Sequence, residues 1–397
     1  MKFLNNILHW ASGMGRVFRN EFRLILGDVG VMLFFFALPL AYPVVYTLIY
    51  NPEVVRKLPV AVVDHSMTIA SRDFVRHASA SPSIEIFAYC PNMADAKELM
   101  ASGDVYGIME IPDDYSKCLG RGEQAHVSFF ADMSLLLRYR TFMAALTDLQ
   151  LELTSSITGE RIDATGLESL AGGSSGMPIA SQSNFLGDTE QGFASFVIPG
   201  IVILIIQQSM ILGICLIGGT SRERRRSHGG LDPRETTGAG PLATVWGKAL
   251  AVCVLYIPLT IYVMRFIPEI FNLPHYGRPV DYMLFIFPML LATSFLGQSL
   301  VYFMKERESA FIIIVFTSVI FLFLSGLTWP RYAMNSLWYW LGNCVPAVWG
   351  VEGFIRINSN AATLPETGIS FHALWILTAV YMLTAWWVTA ALKIRKD

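Results

Sequence analysis

Five stretches of this chain contain not one Asp, Glu, Lys or Arg: between Asp28 and Glu53, Glu190 and Arg222, Asp281 and Lys305, Glu308 and Arg331, and Glu366 and Lys393. Crossing the hydrocarbon core of a bilayer as a helix takes about 20 apolar residues, and each stretch is long enough. Lipid offers backbone groups no hydrogen-bond partner, so such runs cross as helices that satisfy themselves. A sixth run, Ala249 to Met264, is shorter, but Lys248 and Arg265 at its ends can snorkel to the headgroups. With 53% hydrophobic and 15% charged residues, the pattern predicts a membrane α-helical protein with about six transmembrane helices. The chain opens on an amphipathic stretch, not on a short apolar core with a cleavage site, so no cleavable signal peptide is expected.

Charge then orients the spans. Of 29 Lys+Arg and 31 Asp+Glu, 10 and 19 fall between Asn51 and Ala194. Fifteen of the remaining nineteen basic residues, among them Lys2, Arg16, Arg19, Arg23 and the Arg222–Arg226 run, share one side if both termini are cytoplasmic; Arg265, Arg278, Arg331 and Arg356 are left on the other. That is a positive-inside distribution. It predicts a cytoplasmic interface helix over 1–28, a first span over 29–50, an extracytoplasmic domain over 51–193, and the other spans over 194–397 with a cytoplasmic loop at 219–242. Tyr332–Val351 is also uncharged, but a crossing there would put Lys393–Lys396 outside, and its Asn335, Asn343, Pro346 and Trp/Tyr residues favour the interface. Residues 331–352 are therefore read as a re-entrant or interfacial hairpin before the last span.

The acidic insert between the first two spans reads as α/β. Apolar, β-rich runs lie at Leu58–Val63, Ser83–Tyr89, Val105–Ile111 and His126–Ala131, with helical stretches near Ile69–Ala78, Met93–Ser102 and Asp113–Leu119 between them. Asn92 is placed as an N-cap and Gly103 as a C-cap. Ser134–Leu153 reads as one more helix, and Thr154–Gly192, rich in Ser and Gly, as a flexible return. At the N-terminus, Phe3, Ile7, Trp10, Met14, Val17, Phe18 and Phe22 share one helical face while Arg16, Arg19 and Arg23 take the other. Such a helix anchors in the inner interface or docks a cytoplasmic partner.

The middles of the spans lack Asp, Glu, His and Lys, which argues against an ion-coupled carrier or proton relay. No G-x-x-x-x-G-K-[ST] loop is present: Gly247-Lys248 is followed by Ala249, and position 242 is Leu. The five cysteines form no zinc pattern, so no metal is expected. Asp64-His65-Ser66 is better explained as a strand-end loop than as a hydrolytic triad, since sequence neighbours cannot converge as triad members do. Cys90 and Cys118 could form a disulfide in an extracytoplasmic domain. The arginines are spread along one face and not interleaved with aromatics, so no nucleic-acid partner is expected.

Several segments resemble the membrane subunit of bacterial type-2 ATP-binding-cassette exporters with a large extracytoplasmic domain. These are Leu58-Pro59-Val60-Ala61-Val62-Val63-Asp64 with Ser71, Gly103–Pro112, Phe196-Val197-Ile198-Pro199-Gly200, Gly247-Lys248, and above all Leu324–Pro330 followed by Val345–Phe354. The departure is at the cytoplasmic motif, where Arg224 runs on into Arg225-Arg226-Ser227-His228 in place of the usual Gly-Thr-Leu-Glu. The resemblance implies a dimer with a second copy or a sister permease in the bacterial inner membrane. It also implies a separate cytoplasmic ATPase that holds ATP and Mg, no cofactor and no catalysis on this chain, and export of a drug, lipid or glycan. A periplasmic adaptor and membrane lipid are further candidate partners. Motor coupling is then expected at Arg222, Glu223, Arg224, Arg225, Arg16 and Arg19, and the re-entrant hairpin at Gly326, Pro330, Pro346, Glu352 and Gly353. Gln207, Gln208, Ser209, Thr293, Ser294, Gln298, Thr317 and Ser318 either line the path or bond helix to helix. The competing class is a membrane-anchored receptor or envelope scaffold that binds without transport.

Overall fold

The computed structural model describes residues 2–50, 55–164, 192–229, 232, 234 and 238–394. The chain divides into two compact units, Val54–Asn184 and the remainder, Met1–Glu53 with Phe185–Asp397.

The larger unit is a helical bundle: α1 (Lys2–Leu26), α2 (Val29–Ile49), α7 (Phe193–Ser227), α8 (Pro241–Ile270), α9 (Pro279–Phe303), α10 (Ser309–Leu324), α11 (Ser336–Asn343), α12 (Pro346–Asn360) and α13 (Gly368–Ile394), the numbers between belonging to the inserted domain. Five helices are long and apolar enough to cross a membrane, namely α2, α7, α8, α9 and the one containing α13. The shortest uncharged run, at 249–264, lies inside the 30-residue α8. The run after Glu308 gives the short helix: α10 has 16 residues, about 24 Å at 1.5 Å per residue. It stops at Ser325 because Gly326 takes φ +90°, a left-handed turn glycine adopts without strain.

The centre of the bundle is α7, packed against α2, α9, α10 and α12. Its most apolar stretch is 83% buried, against 22% in α2 and in the last span, so α7 is the core and those two are periphery. Its 35 residues make about 52 Å, well beyond a hydrocarbon core of about 30 Å. The extra length carries Arg222–Arg226: residues expected in a loop from 219 instead continue the helix through Ser227. Arginine and glutamate are good helix formers, and cations suit the carbonyl end of the dipole.

Glycines set the close contacts. At Gly213 of α7 an added Cβ would lie 1.4 Å from the Phe35 ring, which a π turn at Leu33–Ala37 of α2 presents. Gly213→Ala should therefore cost about 2–3 kcal/mol of overpacking. Thermal unfolding of the purified protein would show a lowered midpoint, and adding Phe35→Leu should recover most of it. On α12, Gly350 and Gly353 admit Ile203 of α7 and Phe285 of α9 at distances no Cβ allows.

The inserted domain contains β1 (Leu58–Asp64), α3 (Ile69–Ala80), β2 (Ile84–Tyr89), α4 (Met93–Ser102), β3 (Gly107–Ile111), α5 (Tyr115–Arg121), β4 (Ser128–Ala131) and α6 (Leu136–Ala164). The sheet order is β2-β1-β3-β4, the first three parallel and β4 antiparallel to β3. Passing from β1 to β2 and then back across to β3 reverses direction, so right-handed crossovers put α3 and α4 on opposite faces. Strand alternation supplies both cores: Val60, Val62, Met109 and Ile111 face α3, α5 and α6, while Ala61, Val63 and Ile108 face α4. Asn92 caps α4 by accepting from the Asp95 amide at 2.9 Å, and Gly103 closes it at φ +85°. Cys90 and Cys118 are free thiols; Cys90 belongs to the α4-side core whereas Cys118 lies on α5, across the sheet. Asp64 is absorbed by its own turn, accepting from the amides of Ser66 and Met67 and from the Ser71 hydroxyl.

Candidate functional site

The apolar face of α1 does not lie free. Met14 and Val17 pack on Ala239 and Ala243 at the start of α8, and Gly247 lets the helices approach until a Cβ there would be 2.8 Å from the Met14 carbonyl and from Val17. Within this stripe sits one acid, Glu21, 5% exposed, whose carboxylate is 3.7 Å from the Lys248 ammonium. Arg16, Arg19 and Arg23 remain exposed on the other face. The helix is thus fixed to α8 on one side and presents three cations on the other.

The end of α7 is tied to its neighbours residue by residue. Arg222 donates to the carbonyls of Tyr302, at 3.0 Å, and Met304, orphans at the end of α9. Glu223 accepts from the Arg307 amide at 2.6 Å. Arg224 grips Asp232 through two nitrogens, each at 3.1 Å, while Ser221 donates to the same carboxylate and Asn20 of α1 donates to the Arg234 carbonyl. Arg226 reaches Glu306 at 3.5 Å, with both side chains 60% exposed. Arg307 makes a two-pronged pair with Asp28, at 2.6 and 2.7 Å, at the N-cap of α2.

Electrostatics follows from these contacts. Burial pushes the Asp232 carboxyl up, but the hydrogen bonds from Arg224 and Ser221 outweigh it and hold the group below the ordinary carboxylate range. Asp28 is lowered first by its bond to Arg307, which is raised in turn. A carboxylate with a depressed folded value contributes fully above its unfolded value of about 4 and loses that contribution as pH falls through the folded one. Both clamps are therefore set at neutral pH.

Of the residues expected to couple to a motor, Arg222, Glu223, Arg224 and Arg225 are half-buried, and the first three have the intrachain partners just described. Arg16 and Arg19, with Arg23 and Arg226, are the ones presented outward. Glu21, Asp28, Asp232 and Arg307 were not anticipated. Glu21 could have been found, since a charge between Val17 and Ile25 on an apolar stripe demands a buried partner.

The polar residues of the spans do not share one surface. Gln207 is buried and accepts from the Ala347 amide at 2.6 Å, capping the start of α12 just after Pro346. Ser209 accepts from the Tyr256 hydroxyl at 3.0 Å, and Gln298 donates to the Val245 carbonyl at 3.2 Å. Thr317 and Ser318 donate to carbonyls of their own helix, α10. Both amide atoms of Gln208, the Nε2 of Gln207, the Thr293 hydroxyl and the Oε1 of Gln298 are buried without a hydrogen-bond partner, a cost of about 1–3 kcal/mol each that a second arrangement of the helices could relieve.

At the other end of α7 the hairpin follows Gly326. Pro330 leads into Arg331; Asn335 caps α11 by accepting from the Leu337 amide at 3.1 Å; and Pro346 opens α12. Leu337, Trp338, Trp340 and Leu341 of α11 are exposed, as suits an interfacial helix. Glu352 of α12 pairs with Arg331 and, at 2.9 Å, with Arg356. Among the described residues no group of three or more His, Cys, Asp or Glu converges as a metal site would.

A family model described as ABC-2 family transporter protein matches residues 30–387. No curated protein matches the chain.

Proposed function

The chain belongs to the ABC-2 family of transporter proteins as the membrane subunit of an ABC transporter, and on that premise we propose that it exports a hydrophobic or amphipathic compound across a bacterial inner membrane. Family membership brings an ATPase on a separate polypeptide, with the complex typically dimeric. In the proposed arrangement both termini and the arginine-rich end of α7 are cytoplasmic and the α/β domain is extracytoplasmic. The observation that carries the mechanism is the seating of α1 on α8 at Gly247, with Glu21 on Lys248 behind and Arg16, Arg19 and Arg23 in front. Nucleotide-driven closure of the ATPases presses on that cationic face and on Arg226. Because α1 is locked to α8, and α7 to the segment after α9 through Arg222, Glu223 and Arg307, the push reaches the spans as a rigid displacement. Access at the dimer interface then switches between two states whose balance nucleotide biases.

The test is reconstitution with the partner ATPase. With Arg16, Arg19 and Arg23 all changed to Glu, nucleotide-driven export should fall at least tenfold while ATP hydrolysis persists. Export at the parental rate by a normally inserted variant would refute the coupling role.

A further inference from the structure

A cavity of about 580 Å3 opens beside the hairpin, inside the range of about 300–1,000 Å3 typical of small-molecule sites. It lies beside Phe196, near the first turn of α7, some 26 residues and hence about 39 Å along the helix from Arg222. Its walls are aromatic and aliphatic, including Phe196, Leu327, Tyr332, Tyr339, Trp349 and Ile369, and it holds three charged groups, Arg331, Glu352 and Arg356.

These three charges do not cancel. Arg331, 12% exposed, spends its guanidinium on Glu352 and Asn343 and lies over the rings of Trp349 at 4.5 Å and Tyr339 at 5.2 Å. The other oxygen of Glu352 takes one nitrogen of Arg356. One carboxylate therefore faces two guanidiniums, and the surplus charge sits on Arg356, whose side chain is 44% exposed and whose one charge partner among the described residues is Glu352. An aromatic pocket could in general hold a cation, but here Arg331 already occupies two of the rings and Glu352 is doubly countered. A guanidinium with free donors at the rim of an apolar cavity matches a phosphate or carboxylate attached to an apolar body.

We propose that this cavity binds an amphiphile with an anionic head group, the head group on Arg356 and the apolar part against the Tyr332, Tyr339 and Phe196 side. Arg331 and Glu352 are positioning residues that hold Arg356 at the rim. The inference narrows the substrate class of the export reading and rests on it only for the ligand's being cargo.

Binding is measurable on the full chain without the ATPase, in nanodiscs of phosphatidylcholine, by calorimetric titration with three probes of equal tail: dodecyl phosphate, dodecyltrimethylammonium and dodecyl maltoside. The phosphate probe should bind at least tenfold tighter than the other two. R356Q should remove that preference, whereas R356K should keep most of it, with the melting temperature of each variant reporting an intact fold. If phosphatidylglycerol in the disc displaces the probe, the natural occupant is lipid; if it does not, the occupant is soluble cargo, and either result upholds the anion site. Equal or tighter binding of the ammonium probe by the parent protein, or an undiminished phosphate preference in R356Q, overturns it. Export that fails while binding survives counts against the transport reading alone; export that survives without binding counts against the site alone.

Discussion

Reversing Arg224 to glutamate should leave the protein unable to accumulate, or lower its unfolding midpoint sharply, and Asp232→Arg in the same chain should restore it. The Asp232 side chain is 2% exposed and is held by both nitrogens of the Arg224 fork. Removing the partner of a buried charge costs about 3–5 kcal/mol, and a second carboxylate adds repulsion. Yield and thermal unfolding in detergent check the single and double variants. The swapped pair then separates two roles for Arg224. Restored fold with restored export means that it serves the clamp between α7 and Asp232; restored fold without export means that the arginine itself meets the ATPase.

Arg331→Ala is the second large effect, expected to destabilise the hairpin by about 3 kcal/mol. The guanidinium joins Glu352, Asn343 and the faces of Trp349 and Tyr339, so its loss frees the start of the hairpin from α12. Thermal unfolding should shift down, and limited proteolysis should cut first between Gly326 and Asn343. An Arg331→Lys variant should recover little, because an ammonium cannot reach two acceptors while lying flat on an indole. A fully stable Arg331→Ala protein would show that the hairpin is held by the packing of Gly350 and Gly353 instead.

Local rules made the inserted domain legible almost to the residue. Val60 and Val62 alternate with Ala61 and Val63, Asn92 announces a helix that Gly103 ends, and each signal acts within a few residues of itself. The spans were legible for the same kind of reason, since about twenty residues without a charge match the thickness of a bilayer core and find no comfort in water. What the sequence hid is whatever depends on distance along the chain. Arg307 meets Asp28, and Arg222 meets Tyr302, across the whole bundle. No periodicity encodes such pairs. The length of α10 was hidden differently: its uncharged run continues to Pro330, but the left-handed turn at Gly326 converts the last third into the start of the hairpin. Arg222–Arg226 read as a loop because charge marks a membrane boundary, yet charge does not end a helix.

The unbroken course of α7 has a mechanical corollary. A rod of about 52 Å that tilts by about 5° around its middle carries each tip sideways by about 2 Å, in opposite directions. Such a lever needs no relay of small side-chain moves between the ends: a nudge at Arg222 is felt at Phe196 at once, with the sign inverted. Compression among the arginines would thus arrive at the aromatic chamber as a change in its width.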